Sequence, residues 1–192
     1  MKNLKFIFLS AILVSFFAQS NLNPKAPLGL TWGEKKEQIE NNYDSKKMRQ
    51  KDNLTFYNLY LPPLTLPDFT EYLAIVDNDI GLVKVILSQK IKNDAYGIKG
   101  KELYFKYKNV LTKKYNEPTQ SMEKIGNRLY KGSDEFYQCL KYNGCGLYIS
   151  LYGNPKTQVV LRLVGAERGV GELQISYESE LFDQSIKNVK NK

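Results

Sequence analysis

Leu173, Ile175 and Tyr177 alternate with Gln174, Ser176 and Glu178. A period of two admits only a strand with one face in a core and the other in water. Thr70–Val76 and Leu82–Leu87 flank Asp77-Asn78-Asp79 in a clear hairpin pattern. Leu54–Leu61, Glu123–Tyr130, Glu135–Leu140, Gly146–Tyr152 and Gln158–Val164 read as further strands. Gly153-Asn154-Pro155 and the glycines at 165, 169 and 171 punctuate them as turns. Strands this numerous and closely spaced predict an antiparallel sheet of about seven to eight strands.

Two segments have helical character instead. Thr31-Trp32-Gly33-Glu34 matches a capping box, and Trp32, Ile39 and Tyr43 then fall on one side of a helix ending near Asn42. From Lys99 to Tyr115, Leu103, Tyr107, Val110 and Leu111 share a side, and Pro118 stops the helix. Between them lie a basic polar stretch, Lys46–Lys51, and an extended segment fixed by Pro62, Pro63 and Pro67. A last amphipathic segment carries Leu181, Phe182, Ile186 and Val189 and frays into a basic tail at about 187–192. The order is helix, about three strands, helix, about five strands. That predicts an α+β fold with two main helices packed on one face of an antiparallel sheet. The similar helix ends, Asn42-Tyr43-Asp44 and Lys114-Tyr115-Asn116, suggest a duplicated helix-plus-meander unit.

Residues 1–20 read as a cleavable signal peptide. Lys2 and Lys5 precede an apolar run from Phe6 to Phe17, and Ala18-Gln19-Ser20 places small residues for cleavage before Asn21. The run is too short to span a bilayer, which needs about 20 apolar residues. Residues 21–192 are expected to form one domain, periplasmic or secreted. Lys and Arg outnumber Asp and Glu by 28 to 20, and removing Lys2 and Lys5 lowers the net charge from +8 to +6. With an export signal, that charge points away from nucleic acid and towards an envelope or extracellular protein, with weak binding to anionic surfaces.

Cys139 and Cys145 are the only cysteines, and in an oxidising compartment they are expected to form a structural disulfide. A two-residue Asn143-Gly144 turn would pair Cys139 with Tyr148. A loop of three or five residues between two strands, with Gly144 at positive φ, sets Cys139 opposite Cys145 instead. Lys141, Tyr142 and Asn143 at the tip of that loop form the candidate contact surface, where no core has use for the Tyr142 ring.

Gly29, Thr31, Trp32, Gly33 and Ile39, followed by a charged helix and a meander, carry a resemblance. This opening is similar to that of small exported domains in the superfamily that contains the β-lactamase inhibitor protein and the outer-membrane assembly lipoprotein, and of uncharacterised periplasmic proteins. The resemblance implies a protein-binding module. The lipoprotein's anchoring cysteine is absent here, so its membrane attachment does not carry over.

The chain has no histidine, which removes Ser-His-Asp and Cys-His catalysis and His-ligated metals. Ser121-Met122-Glu123-Lys124 has Ser-x-x-K spacing but lacks the Ser-Asp-Asn and Lys-Thr-Gly elements that accompany it. Asp77-Asn78-Asp79 lacks the later ligands of a calcium loop. No catalytic residue, cofactor or metal site is assigned. The expected function is that of an exported binding protein, such as an inhibitor, an immunity-type or an envelope accessory factor. One alternative is a glycan or peptidoglycan hydrolase drawing two carboxylates from Glu34, Glu37, Asp134, Glu135, Glu172 and Glu178. The other is a protein that binds anionic lipid or lipopolysaccharide through Lys46–Lys51 or the tail.

Overall fold

The computed structural model describes residues 24–126, 130, 132–154 and 156–190. The signal-peptide reading and its cleavage point lie outside them. The elements run α1 (Lys36–Asn42), β1 (Asp44–Lys51), β2 (Leu54–Leu61), β3 (Glu71–Asp77), β4 (Gly81–Ile91), α2 (Ile98–Tyr115), β5 (Gln120–Ile125), α3 (Phe136–Lys141), β6 (Gly146–Gly153), β7 (Gln158–Glu167), β8 (Val170–Glu178) and α4 (Glu180–Lys190). The eight strands form one antiparallel sheet in the order β1-β2-β3-β4-β8-β7-β6-β5. The fold is therefore α+β. Its strands divide four and four rather than three and five: each meander follows a helix, and the two meanders join through their last strands, β4 and β8.

One face of the sheet takes α1, α2 and α3. Tyr57, Leu59, Tyr72, Ala74, Val85, Leu87, Ile175, Leu161 and Leu163 point to it and are buried. The α2 helix buries Gly100, Tyr104, Tyr107, Leu111 and Tyr115 against them, while Val110 is exposed. The buried stripe is thus rotated from the expected one, because tyrosines with a polar end reach acceptors the sequence pattern does not reveal. Tyr104 meets Ser150 at 2.8 Å, Tyr57 donates to Glu40 at 2.6 Å, and Tyr152 donates to the Lys108 carbonyl at 3.1 Å. These buried phenols keep their hydrogen bonds in this way, whereas the buried Tyr115 hydroxyl has no partner among the described residues. On the opposite face, α4 closes one end of the sheet. Ser185 donates to the Asp77 carboxylate, and the Lys84 ammonium lies 4.8 Å from the Phe182 ring centre. The helix continues to Lys190, through most of the stretch expected as a fraying tail, and Lys187 pairs with Asp183; residues 191–192 lie outside the described set.

Four expectations are corrected. The first helix begins at Lys36, capped at Lys35, where Gln38 Oε1 accepts from the Lys35 N–H at 2.8 Å. Gly33 at φ +81° breaks any helix there, and Gly33 and Glu34 are tied to Leu82 by main-chain bonds of 2.9 and 2.8 Å. The basic stretch Lys46–Lys51 is a strand, β1, drawn in to satisfy the outer edge of β2 despite its lack of apolar alternation. The third concerns Glu135–Leu140, which is helix rather than strand. The strand expected over Glu123–Tyr130 spans Gln120–Ile125, and residues 127–129 lie outside the described set.

Candidate functional site

The α3 helix is short because its anchor is one ring. Tyr137 lies over β7 and β8 at Gly165 and Gly171, which face each other across the ladder. A Cβ on Gly171 would stand 2.0 Å from Tyr137 Cε1, and one on Gly165 only 1.7 Å from the Tyr137 carbonyl oxygen. These glycines were expected in turns, but they form a slot inside two strands; only Gly169, at φ +69°, turns the chain. Close approach and a turn give the same glycine signal in a sequence. Gly100 of α2 completes the slot, 2.2 Å from the Tyr137 hydroxyl to its would-be Cβ.

The Tyr137 hydroxyl donates to Asp94 Oδ2 at 2.7 Å, and the Gly100 N–H donates to the same oxygen at 2.9 Å. Burial alone raises the Asp94 pKa, but these bonds and others from the first amides of α2 outweigh it and hold the carboxyl below its usual range. Asp94 therefore joins the start of α2 to α3. Its sequence signal was an Asp in the Asn93-Asp94 pair just before the helix, a local backbone acceptor.

Cys139 lies on α3 and Cys145 just before β6; they are bonded, with S–S 2.08 Å and Cα–Cα 5.1 Å. The bridge thus links a helix to a strand and does not cross a hairpin, so the expected odd-numbered strand loop is replaced by a helix followed by a tight turn. The Cys145 N–H donates to the Tyr142 carbonyl at 3.1 Å, and Gly144 at φ +81° occupies the third position. With Asn143 at negative φ, this is the type II arrangement, in which a positive φ falls on the third residue. Gly144 was expected at positive φ, and it is.

Lys141, Tyr142 and Asn143 are exposed, with Tyr142 at 58%. Beside Tyr142 is a cleft of about 310 Å³ lined by Met122 and Lys124 of β5, Leu140, and Leu147 of β6. Met122 and Leu147 are 42% and 43% exposed. On the helix-bearing face of the same strand lies a second cleft, of about 440 Å³, lined by Ile98 and Lys101 of α2, Glu123 and Ile125 of β5, Phe136 of α3 and Tyr148 of β6. Lys124 borders both clefts. Sequence reading singled out the tip but missed the clefts, because the placement of β5 beside the tip is set by strand order.

Other suspected chemistry is dispersed. Ser121 and Lys124 point to opposite faces of β5, so the Ser-x-x-K spacing brings nothing together. Lys108 of α2 does reach Ser121 Oγ, at 2.9 Å, but the same ammonium pairs with Glu123 at 2.8 Å. Burial alone raises the Glu123 pKa, but bonds from Lys108, Ser121 and Tyr104 bring it below the usual range. The Lys108 ammonium is therefore shared between Ser121 and Glu123, and Ser121 Oγ itself donates to Glu123 Oε1. In the carboxylate pool, Glu34 accepts from Tyr43 at 3.0 Å, Glu178 pairs with Lys84 at 2.5 Å and Glu172 accepts from Gln174 at 2.6 Å. Asp134 pairs with Arg168, Glu135 accepts from Gln138 at 3.4 Å, and Glu37 lies 3.7 Å from Lys36. No two of them share a partner. Asp77 and Asp79 are bridged by the Asn53 amide at 2.9 and 3.0 Å, as turn residues. Among the described residues no group of three or more potential ligands could hold a metal.

The Pro62–Pro67 segment leaves the same end of the sheet as the disulfide tip. Five strand spacings, roughly 24 Å, separate the two. Lys46–Lys51 is farther still, on the opposite edge. No helix among the described residues is long and apolar enough to cross a membrane.

The chain matches no known family, no curated protein and no solved structure.

Proposed function

We propose that the chain is an exported, non-catalytic binding protein that engages an envelope or extracellular protein through the Cys139–Cys145 tip. One observation carries this reading: the exposed Tyr142 ring, held on a disulfide-fixed turn, with exposed Met122 and Leu147 around the adjoining cleft. Apolar side chains grouped on a rigid, otherwise polar rim are the anatomy of a contact surface. The disulfide supports an oxidising compartment, in line with the signal-like N-terminus. The different partners taken by each candidate carboxylate, and the pairing of Lys108 with Glu123, support a role without bond-breaking chemistry. The resemblance carried by Gly29, Thr31, Trp32 and Gly33 favours a protein partner.

Quantitative capture from an envelope extract, with wild type, Tyr142→Ala and Lys36→Ala as baits, tests this. The Tyr142 variant should lose a set of partners that wild type and the distant α1 variant both retain. Identical partners at equal yield in all three would remove the tip from the account.

A further inference from the structure

We infer that β5 is a docking edge for an extended segment of a partner protein, which adds as a ninth strand. The inference rests on the binding-protein reading and specifies the chemistry of the partner.

Its basis is the way β5 is finished. Among the described residues the strand pairs only with β6. The Gly126 N–H donates to the Cys145 carbonyl at 2.5 Å, and the ladder runs from Gln120↔Leu151 to Ile125↔Gly146 without a shift. Antiparallel pairing alternates main-chain groups between the two sides of a strand. With Gly126 bonded inward, Gln120, Met122 and Lys124 direct their main-chain groups to β6. Ser121, Glu123 and Ile125 direct theirs outward, where no described strand takes them.

Side chains of an added strand would point alternately to the two faces of the sheet. A cleft stands on each face beside this edge. The 440 Å³ cleft, with Phe136 and Tyr148, lies on the helix-bearing face, and the 310 Å³ cleft, with Met122, Leu147 and Tyr142, lies on the other. Main-chain bonding along an edge, with a pocket for each of two successive side chains, is how strand addition obtains affinity and selectivity.

Charge selects the partner. Lys101 and Lys124 line the clefts and Lys141 stands on the tip. The acid lining the larger cleft, Glu123, is already compensated by Lys108. A second copy of β5 would bring both sets of lysines along one seam, and like charges across an interface oppose pairing. The complementary occupant is an extended segment with two successive large apolar residues flanked by Asp or Glu.

The probe is a fluorescein-labelled nonapeptide with Phe-Leu at its centre and Glu on both sides, titrated by fluorescence anisotropy at low salt. Two backbone-methylated versions block alternate sets of amides, and a fourth peptide carries Lys in place of Glu. One methylated version should bind about five-fold more weakly per blocked amide, and the other within about two-fold of the parent. The Lys peptide should bind roughly ten-fold more weakly, and Lys124→Glu should reverse that preference. Ser121→Pro removes one outward N–H, which an edge strand tolerates without losing a ladder bond, and should weaken the parent peptide. Thermal melts confirm that both variants fold.

Binding that ignores both methylated versions overturns strand addition. So does the absence of binding at roughly millimolar peptide. If the protein alone sediments as a dimer that Ser121→Pro dissolves, the occupant is a second copy and the proposal falls. An acidic oligosaccharide that binds in the peptide's place, insensitive to Ser121→Pro, assigns the clefts to a glycan and overturns it as well. Partner capture that depends on Tyr142 while the methylated series stays flat leaves the binding-protein reading standing without the added strand.

Discussion

Replacing Gly165 by Ala puts a methyl group where the Tyr137 main chain already is. The new Cβ would lie 1.7 Å from the Tyr137 carbonyl oxygen, 2.7 Å from its carbon and 2.8 Å from the Lys141 nitrogen. Ordinary contact between such atoms is about 3.5 Å, so α3 must lift by nearly 2 Å. It has little freedom to do so, with Tyr137 fully buried and Cys139 bonded to Cys145. A cost of about 3 kcal/mol is expected, the upper end for overpacking a core. The lower chain entropy of the unfolded Ala variant offsets only about 0.5–1 kcal/mol of it. For a chain of this size each kcal/mol moves the midpoint by roughly 2–4 °C, so Tm should fall by about 4–10 °C. Gly171→Ala separates the causes, since its Cβ meets mainly the Tyr137 ring, 2.0 and 2.1 Å from Cε1 and Cδ1. In a double-mutant cycle with Tyr137→Ala, the Gly171 cost should shrink by about 2 kcal/mol, whereas the Gly165 cost, owed to main chain, should persist. Thermal and urea unfolding of the two cycles provide the measurement. A Gly165→Ala protein as stable as wild type, or equal coupling in both cycles, would refute the slot.

Breaking the bridge with Cys139→Ser should cost about 2 kcal/mol by the chain-entropy relation for so short a loop, and reductant should lower the wild-type midpoint to that of the variant. Stability should fall in acid: Asp68, Asp77, Asp94 and Glu123 all have depressed pKa values. Their contribution is complete above the unfolded carboxylate range near pH 4 and is lost as pH drops through the lower folded values. Tm measured from pH 7 to pH 2 should therefore show a slope that is shallower in Asp94→Asn. Ser121 should remain unlabelled by a fluorophosphonate probe analysed by intact mass, because Glu123 engages both Lys108 and the Ser121 hydroxyl; stoichiometric labelling would reopen catalysis at that serine.

Alternation in Leu173–Tyr177, and the hairpin around Asp77-Asn78-Asp79, made the sheet legible, because each strand there has one buried and one wet face. The edge strand β1 was not legible. Only Met48 among Asp44–Lys51 is a large apolar residue, and a strand needing one partner on one side needs no core face. The α3 helix misread as strand because Phe136, Tyr137 and Cys139 favour sheets locally, while the position is decided by the Gly165–Gly171 slot about 30 residues later in the chain. Tyr142 was visible as a candidate from the cysteine spacing alone. Its neighbours Met122 and Leu147 were not, since nothing in β5 announces which strand it will pair with.

Joining two four-stranded meanders through their last strands necessarily leaves both first strands at the edges. The two edges are finished differently. The β1 edge carries Lys46, Lys47, Arg49 and Lys51 and two irregularities in register, the features that keep an exposed edge from pairing. The β5 edge carries fewer charges, Glu123 and Lys124, keeps a regular register, exposes Met122 and is flanked by a cleft on each face. A weakly guarded edge is a hazard in a chain that needs no partner there, and a heavily guarded one is useless to a chain that does. Strand addition at β5 accounts for the difference with one cause: the guard is strong where pairing would be harmful and weak where pairing is proposed. The disulfide then has a specific task, holding the Tyr142 turn beside that edge so that an incoming segment meets a shaped wall.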